Sequence, residues 1–156
     1  MPSIVLLTHS TDETIAQGKD LATRLKSPVL VLLSGELGAG KTTLAKGIVS
    51  GLGAGLEEEV TSPSFTLIHL YHAAAAGKVY HIDLYRVGDF HDLETLGLED
   101  VLSEPAVVLV EWPERLTLRT DWPVLRIHVV HLPDESRRIE IEDAQCALAT
   151  ARRDVD

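Results

Sequence analysis

The chain has 156 residues, one domain by length, and its 45% hydrophobic content is enough for a domain of that size to bury a core. Its formal charge of −10, from 24 acidic against 14 basic residues, opposes direct salt-driven docking on a nucleic acid backbone, so any nucleic acid is expected to be handled through a partner. A single cysteine, Cys146, excludes an internal disulfide and gives no thiolate metal cluster.

The start, Met1-Pro2-Ser3-Ile4-Val5-Leu6-Leu7, has no basic leader and reads as a first strand over 4–8 rather than a signal peptide. No segment approaches the length needed to span a bilayer, and a cytoplasmic protein is expected. Ser10 and Glu13 form an S-x-x-E capping box, which predicts a helix with Ile15, Leu21, Ala22 and Leu25 on its apolar face and Ser27-Pro28 as its stop. Val29-Leu30-Val31-Leu32-Leu33 is an unbroken apolar run of buried-strand length.

Gly35-Glu36-Leu37-Gly38-Ala39-Gly40-Lys41-Thr42 follows and fits the phosphate-loop pattern G-x-x-x-x-G-K-[ST] at every fixed position. Leu44, Ala45, Ile48, Val49 and Leu52 then recur at helical spacing. Strand, glycine turn and helix together make a device for anions. The glycines let backbone N–H groups curl around phosphate oxygens, and the helix points its positive end at the same place. Lys41 is placed to neutralise β- and γ-phosphate charge and the Thr42 hydroxyl to ligate Mg2+. The loop predicts a nucleotide-binding protein with an α/β fold.

After a glycine-rich and acidic connection, Ser62-Pro63-Ser64-Phe65-Thr66 brings hydroxyls ahead of a strand. The segment either senses a γ-phosphate or simply starts that strand. Phe65–Tyr71 and Lys78–Tyr85 lie too close together for a parallel crossover, so an antiparallel hairpin is expected. Asp83 is an acid in the second of these apolar strands, suited to a place near Mg2+ or an attacking water, or to a salt bridge with Arg86. His69, His72 and His81 in the hairpin show no metal-ligand spacing.

A short helix is expected over 89–97 and a further turn or helix over 98–102. Ala106–Glu111 is a second buried strand ending in an acid, where Glu111 would face the ligand crevice of an open α/β sheet and hold Mg2+ directly or through water, or polarise an attacking water. Trp112 follows, either closing the site or half-buried as structure. Two late strands are expected over 122–130 and 138–141, joined by the Pro133-Asp134-Glu135-Ser136 turn, then a helix over 144–151. Residues 1–150 are taken as the domain and 151–156 as a disordered tail.

Four blocks in order, Gly35-Glu36-Leu37-Gly38-Ala39-Gly40-Lys41-Thr42-Thr43, Ser62-Pro63-Ser64-Phe65-Thr66-Leu67, His81-Ile82-Asp83-Leu84-Tyr85-Arg86 and Val110-Glu111-Trp112-Pro113-Glu114, resemble the TsaE (YjeE) family. These are small bacterial ATPases needed for the threonylcarbamoyladenosine modification of tRNA. The likeness runs from about Thr8 to Leu116. It implies a single P-loop domain with a mixed sheet, an antiparallel hairpin and helices on both faces. It also implies ATP bound with Mg2+, slow intrinsic hydrolysis, and TsaD and TsaB as partners, with tRNA reached through them. Carried over by position, Glu36 to Thr43 hold the nucleotide, with Thr11 approaching the adenine. Thr42 and Glu111 serve the metal, and Lys41, Asp83 and Glu111 the chemistry. Ser62, Phe65 and Trp112 are candidates for partner contact or site closure. Ser64 departs from the frequent Thr, and the carboxyl-terminal third matches loosely, leaving Arg137 or Arg138 as candidate nucleotide contacts. A small-molecule P-loop kinase is the alternative, although no arginine-rich lid appears between Thr42 and Asp83. A GTPase lacks its N-K-x-D motif here, and a nucleotide-gated binding module is a third reading.

Overall fold

The computed structural model describes residues 3–36, 38–54, 68–73, 77–84, 101–115, 120–143 and 148. Among these, β1 (Ser3–Thr8), β2 (Val29–Ser34), β3 (Ile68–Ala73), β4 (Gly77–Asp83), β5 (Val107–Glu111), β6 (Val124–His131) and β7 (Arg137–Glu142) form one sheet in the order β1-β7-β6-β2-β5-β4-β3. β2 pairs in parallel with both β5 and β6, and β4 runs parallel to β5. β3 and β7 run the other way, each antiparallel to its neighbours. The sheet is therefore mixed, as expected, and the β3–β4 hairpin sits at one edge.

The central strands are buried on both faces, which is why they read as continuous apolar runs rather than alternating ones. Val29, Val31 and Leu33 of β2, with Leu109 of β5 and Leu125 and Ile127 of β6, face one core, in which α1 (Thr11–Ala22) and α2 (Lys41–Gly51) both lie. Leu30, Leu32, Ile82, Val108 and Val110 face the other, closed by Val101 and Leu102. Most of the 89–102 stretch expected to be helical on that face lies outside the described residues. So do the 144–151 helix, apart from buried Leu148, and the tail.

One boundary differs from the sequence reading. α1 stops at Ala22, with Thr23 as its C-cap, well short of Ser27-Pro28: the Thr23 N–H and hydroxyl both turn back onto Asp20 O, closing the last turn locally. At the other end Ser10 Oγ accepts from Glu13 N at 3.1 Å, as a capping box requires. The Glu13 carboxylate, however, accepts from His9 N at 2.8 Å, one residue ahead of the cap.

Candidate functional site

The parallel strands β2, β4, β5 and β6 and the strand β1 all end at the same edge of the sheet, beside the start of β7. That edge is where open α/β sheets bind ligands. β2 delivers the phosphate loop there. Gly35 has φ 143, and a Cβ on it would lie 2.4 Å from Val129 O, so only glycine lets the loop leave β2 against β6. Gly40 is the N-cap of α2 at φ 112, a left-handed conformation that lets the helix start directly at Lys41. It brings no side-chain cap, and the first turn of α2 has no acid. The leading N–H groups of the helix thus face the loop with their positive dipole uncompensated.

Lys41 is buried, and its Nζ donates to Gly35 O and to Glu36 O (3.2 Å). The same ammonium lies 3.7 Å from the centre of the Trp112 ring. Burial lowers its pKa, opposed by the charges of Glu111, Glu114 and Asp83. Trp112 takes φ 63 to bring its ring there, held by its N–H on Leu33 O at 3.2 Å. The residue is half-buried, packed against the core that holds Leu30, Ile82 and Val110 as well as over the loop lysine.

Asp83 and Glu111 are register partners on the parallel strands β4 and β5, so both carboxylates stand on the loop side at one level of the sheet. Both are buried. Thr42 Oγ1 lies 3.1 Å from Glu111 Oε1 and 3.2 Å from Oε2, bringing hydroxyl and carboxylate together across the start of α2. A hard divalent cation bound through few protein oxygens, with phosphates supplying others, suits this donor set. His81, two residues before Asp83 and on the same face, donates Nε2–H to Glu111 Oε2 at 2.5 Å. The sequence reading placed this histidine among a scattered hairpin set and at the head of one resemblance block, but gave it no role. The period of two linking it to Asp83 was the signal that would have found it. His69 faces it across the hairpin, its pKa lowered by burial and then by His81.

On the other side of the loop a cleft of about 220 Å3 is lined by Thr11, Thr14, Gly40, Thr43 and Arg137. Thr11 is therefore brought beside the loop, at the β1–α1 junction. Of the two late arginines, Arg137 belongs to the site: a Cβ on Gly40 would sit 3.2 Å from its Nε. Arg138 projects to the opposite face and pairs with Glu140 at 2.7 Å. Of the other residues named from the sequence, Glu36, Gly38, Ala39 and Thr43 lie in or directly after the loop, while Leu37, Ser62 and Phe65 lie outside the described residues.

A buried parallel strand, a glycine loop and a helix whose start meets a strand-borne carboxylate define the P-loop NTPase class of fold. The family model for "Threonylcarbamoyl adenosine biosynthesis protein TsaE" matches residues 8–140. A Treponema pallidum protein named for tRNA threonylcarbamoyladenosine biosynthesis, TsaE, is 33% identical over 86% of this chain and 97% of its own length. The Aquifex aeolicus protein of the same name is 37% identical over 85% of this chain and 90% of its own. The crystal structure of Bacillus subtilis YdiB matches with a TM-score of 0.66 at 31% identity, covering 90% of this chain and 84% of that one. The chain belongs to the TsaE family of tRNA threonylcarbamoyladenosine biosynthesis. That membership does not favour the small-molecule kinase alternative.

Proposed function

We propose that this protein is the ATP-hydrolysing subunit of a tRNA-modifying assembly, binding ATP with Mg2+ in the cytoplasm and working with the TsaD and TsaB proteins. The observation that carries the reading is the convergence of Lys41, Thr42 and Glu111 at the start of α2, with Asp83 in register beside Glu111. The loop amides and the opening of α2 would seat the β- and γ-phosphates. Lys41 would exchange its two loop carbonyls for phosphate oxygens, a shift that keeps a buried ammonium partnered. Thr42 and Glu111 would hold Mg2+, which when bound supplies charge neutralisation across those phosphates. Asp83 would orient a water toward the γ-phosphorus; the new bond forms to that water's oxygen as the bond to the bridging oxygen breaks and ADP leaves. Thr11 and Arg137 would flank the nucleoside end.

Hydrolysis in this reading drives or resets the modification cycle, and the threonylcarbamoyl transfer belongs to TsaD. ATP turnover measured with and without TsaD and TsaB tests it. Partner-stimulated phosphate release supports the assignment, whereas phosphate appearing on a metabolite would restore the kinase. Lys41→Ala should abolish tight ATP binding, and Glu111→Ala should retain nucleotide while losing Mg2+-dependent turnover. Normal hydrolysis by the Glu111 variant would overturn the metal assignment.

A further inference from the structure

Glu111 is held from two sides, by the Thr42 hydroxyl at the start of α2 and by His81 from within the sheet. His81 is fully buried, and among the described residues its Nδ1 has no hydrogen-bond partner. A carboxylate only accepts, so the shared hydrogen is on Nε2. A side chain serving only to fill the core between β3 and β5 would be apolar, since a buried polar atom without a partner costs stability. The polar ring makes sense through its one bond, to Glu111.

We propose that His81 is a positioning residue for the cation site: it fixes the Glu111 carboxylate in the orientation that faces the Thr42 hydroxyl. Lys41 is the competing partner. Among the charges acting on Lys41, that of Glu111 is the largest. A Glu111 released from His81 would turn toward the ammonium and take both the carboxylate from the cation and the lysine from the phosphates. With His81 in place, one oxygen of Glu111 is occupied from below and the carboxylate stays presented to Thr42. The inference rests on the reading of Glu111 as the cation-holding acid.

The test measures Mn2+ binding to the ADP complex by electron paramagnetic resonance, alongside thermal unfolding and metal-free ADP affinity. His81→Gln places an amide nitrogen at the reach of Nε2, His81→Asn reaches only as far as Nδ1, and His81→Phe keeps a ring without a donor. His81→Phe and His81→Asn should weaken Mn2+ binding about 10- to 100-fold, the usual cost of losing an outer-shell partner, while His81→Gln stays close to the parent. Metal-free ADP affinity should fall as well in the Phe and Asn variants, because Lys41 is then drawn from the phosphates, and should stay close to the parent in the Gln variant. If His81→Phe binds Mn2+ like the parent while Glu111→Ala does not, the positioning role is wrong and the reading of Glu111 stands. If Glu111→Ala also binds like the parent, both fall. Equal losses in the Gln and Asn variants, tracking their loss of thermal stability, would make His81 a core residue and overturn the proposal, and the Gln–Asn comparison holds even if the Phe variant does not fold.

Discussion

Substituting Gly47 by alanine should damage stability and nucleotide binding together. α1 and α2 approach so closely at Gly18 and Gly47 that a methyl on Gly47 would lie 2.2 Å from Ile15 O and 2.9 Å from Gly18 Cα, where ordinary contact starts at 3.4 Å. Both obstacles are backbone, so no rotamer change relieves them and the helices must part by about an ångström in a close-packed interior. Overpacking of this kind costs about 1–3 kcal/mol, and backbone obstacles put it at the upper end. The better helix propensity of alanine offsets about 1 kcal/mol, leaving a net loss of roughly 2 kcal/mol. For a domain of this size that lowers the Tm by roughly 4–8 °C, measurable by far-UV circular dichroism. Because α2 begins with Lys41 and Thr42, the same displacement should weaken ATP binding in calorimetric titration. A Gly47→Ala protein that melts at or above the parent temperature would refute the claim that the glycine contact sets the spacing of these helices.

Arg137→Ala should weaken ATP binding by about tenfold or more, the worth of one charge-assisted hydrogen bond, while Arg138→Ala should leave it unchanged. Equal effects in titration would place the cleft wrongly. Ser50 Oγ is buried and has no hydrogen-bond partner among the described residues, so Ser50→Ala should raise stability by about 0.5–1 kcal/mol through relieved desolvation and better helix propensity. A urea midpoint that falls instead would show the hydroxyl to be engaged. Asp134 accepts from Ser136 Oγ and Ser136 N, and these bonds hold its pKa below the usual 3.8. A folded-state pKa below the unfolded one gives stability that is present above 3.8 and lost as pH falls through the folded value. Asp134→Ala should therefore flatten the fall of Tm on the acid side of that pH, and an unchanged profile would refute the linkage.

The sequence reading recovered what depends on local pattern. The phosphate loop was legible because its fixed glycines, its lysine and its flanking periodicities are all local. The hairpin was legible because β3 and β4 are too close for a crossover. Glu111 was singled out because a buried strand ends in an acid at the ligand edge, and its register opposite Asp83 puts two acids far apart in sequence at one level of the sheet. Long-range contacts were not legible. Nothing in the residues around Gly18 and Gly47 announces that they meet, since the meeting depends on how two helices lie on one sheet face. Arg137 could not be separated from Arg138 until strand register assigned them to opposite faces. His81 required the pairing of β4 with β5 before its bond to Glu111 had meaning.

Among the described residues, two helices begin at the ligand edge, after β1 and after β2, and only one of them is built to receive an anion. α1 starts with Ser10 capping Glu13 N, and Asp12 and Glu13 sit in its first turn, so its dipole is already answered by its own side chains. α2 starts with Gly40 and has neither cap nor acid there, while Lys41 stands at its first position. The same strand–helix connection thus carries opposite electrostatics at its two occurrences. Phosphate placed against α1 would meet two carboxylates, whereas against α2 it meets amides and an ammonium. The β1–α1 junction lines the cleft beside Gly40 with His9, Ser10, Thr11 and Thr14, the last with its hydroxyl bonded to Thr8 and to Ser10 O. Among the described residues, the uncompensated helix start thus lies at the glycine loop and the capped, acidic one beside Thr11.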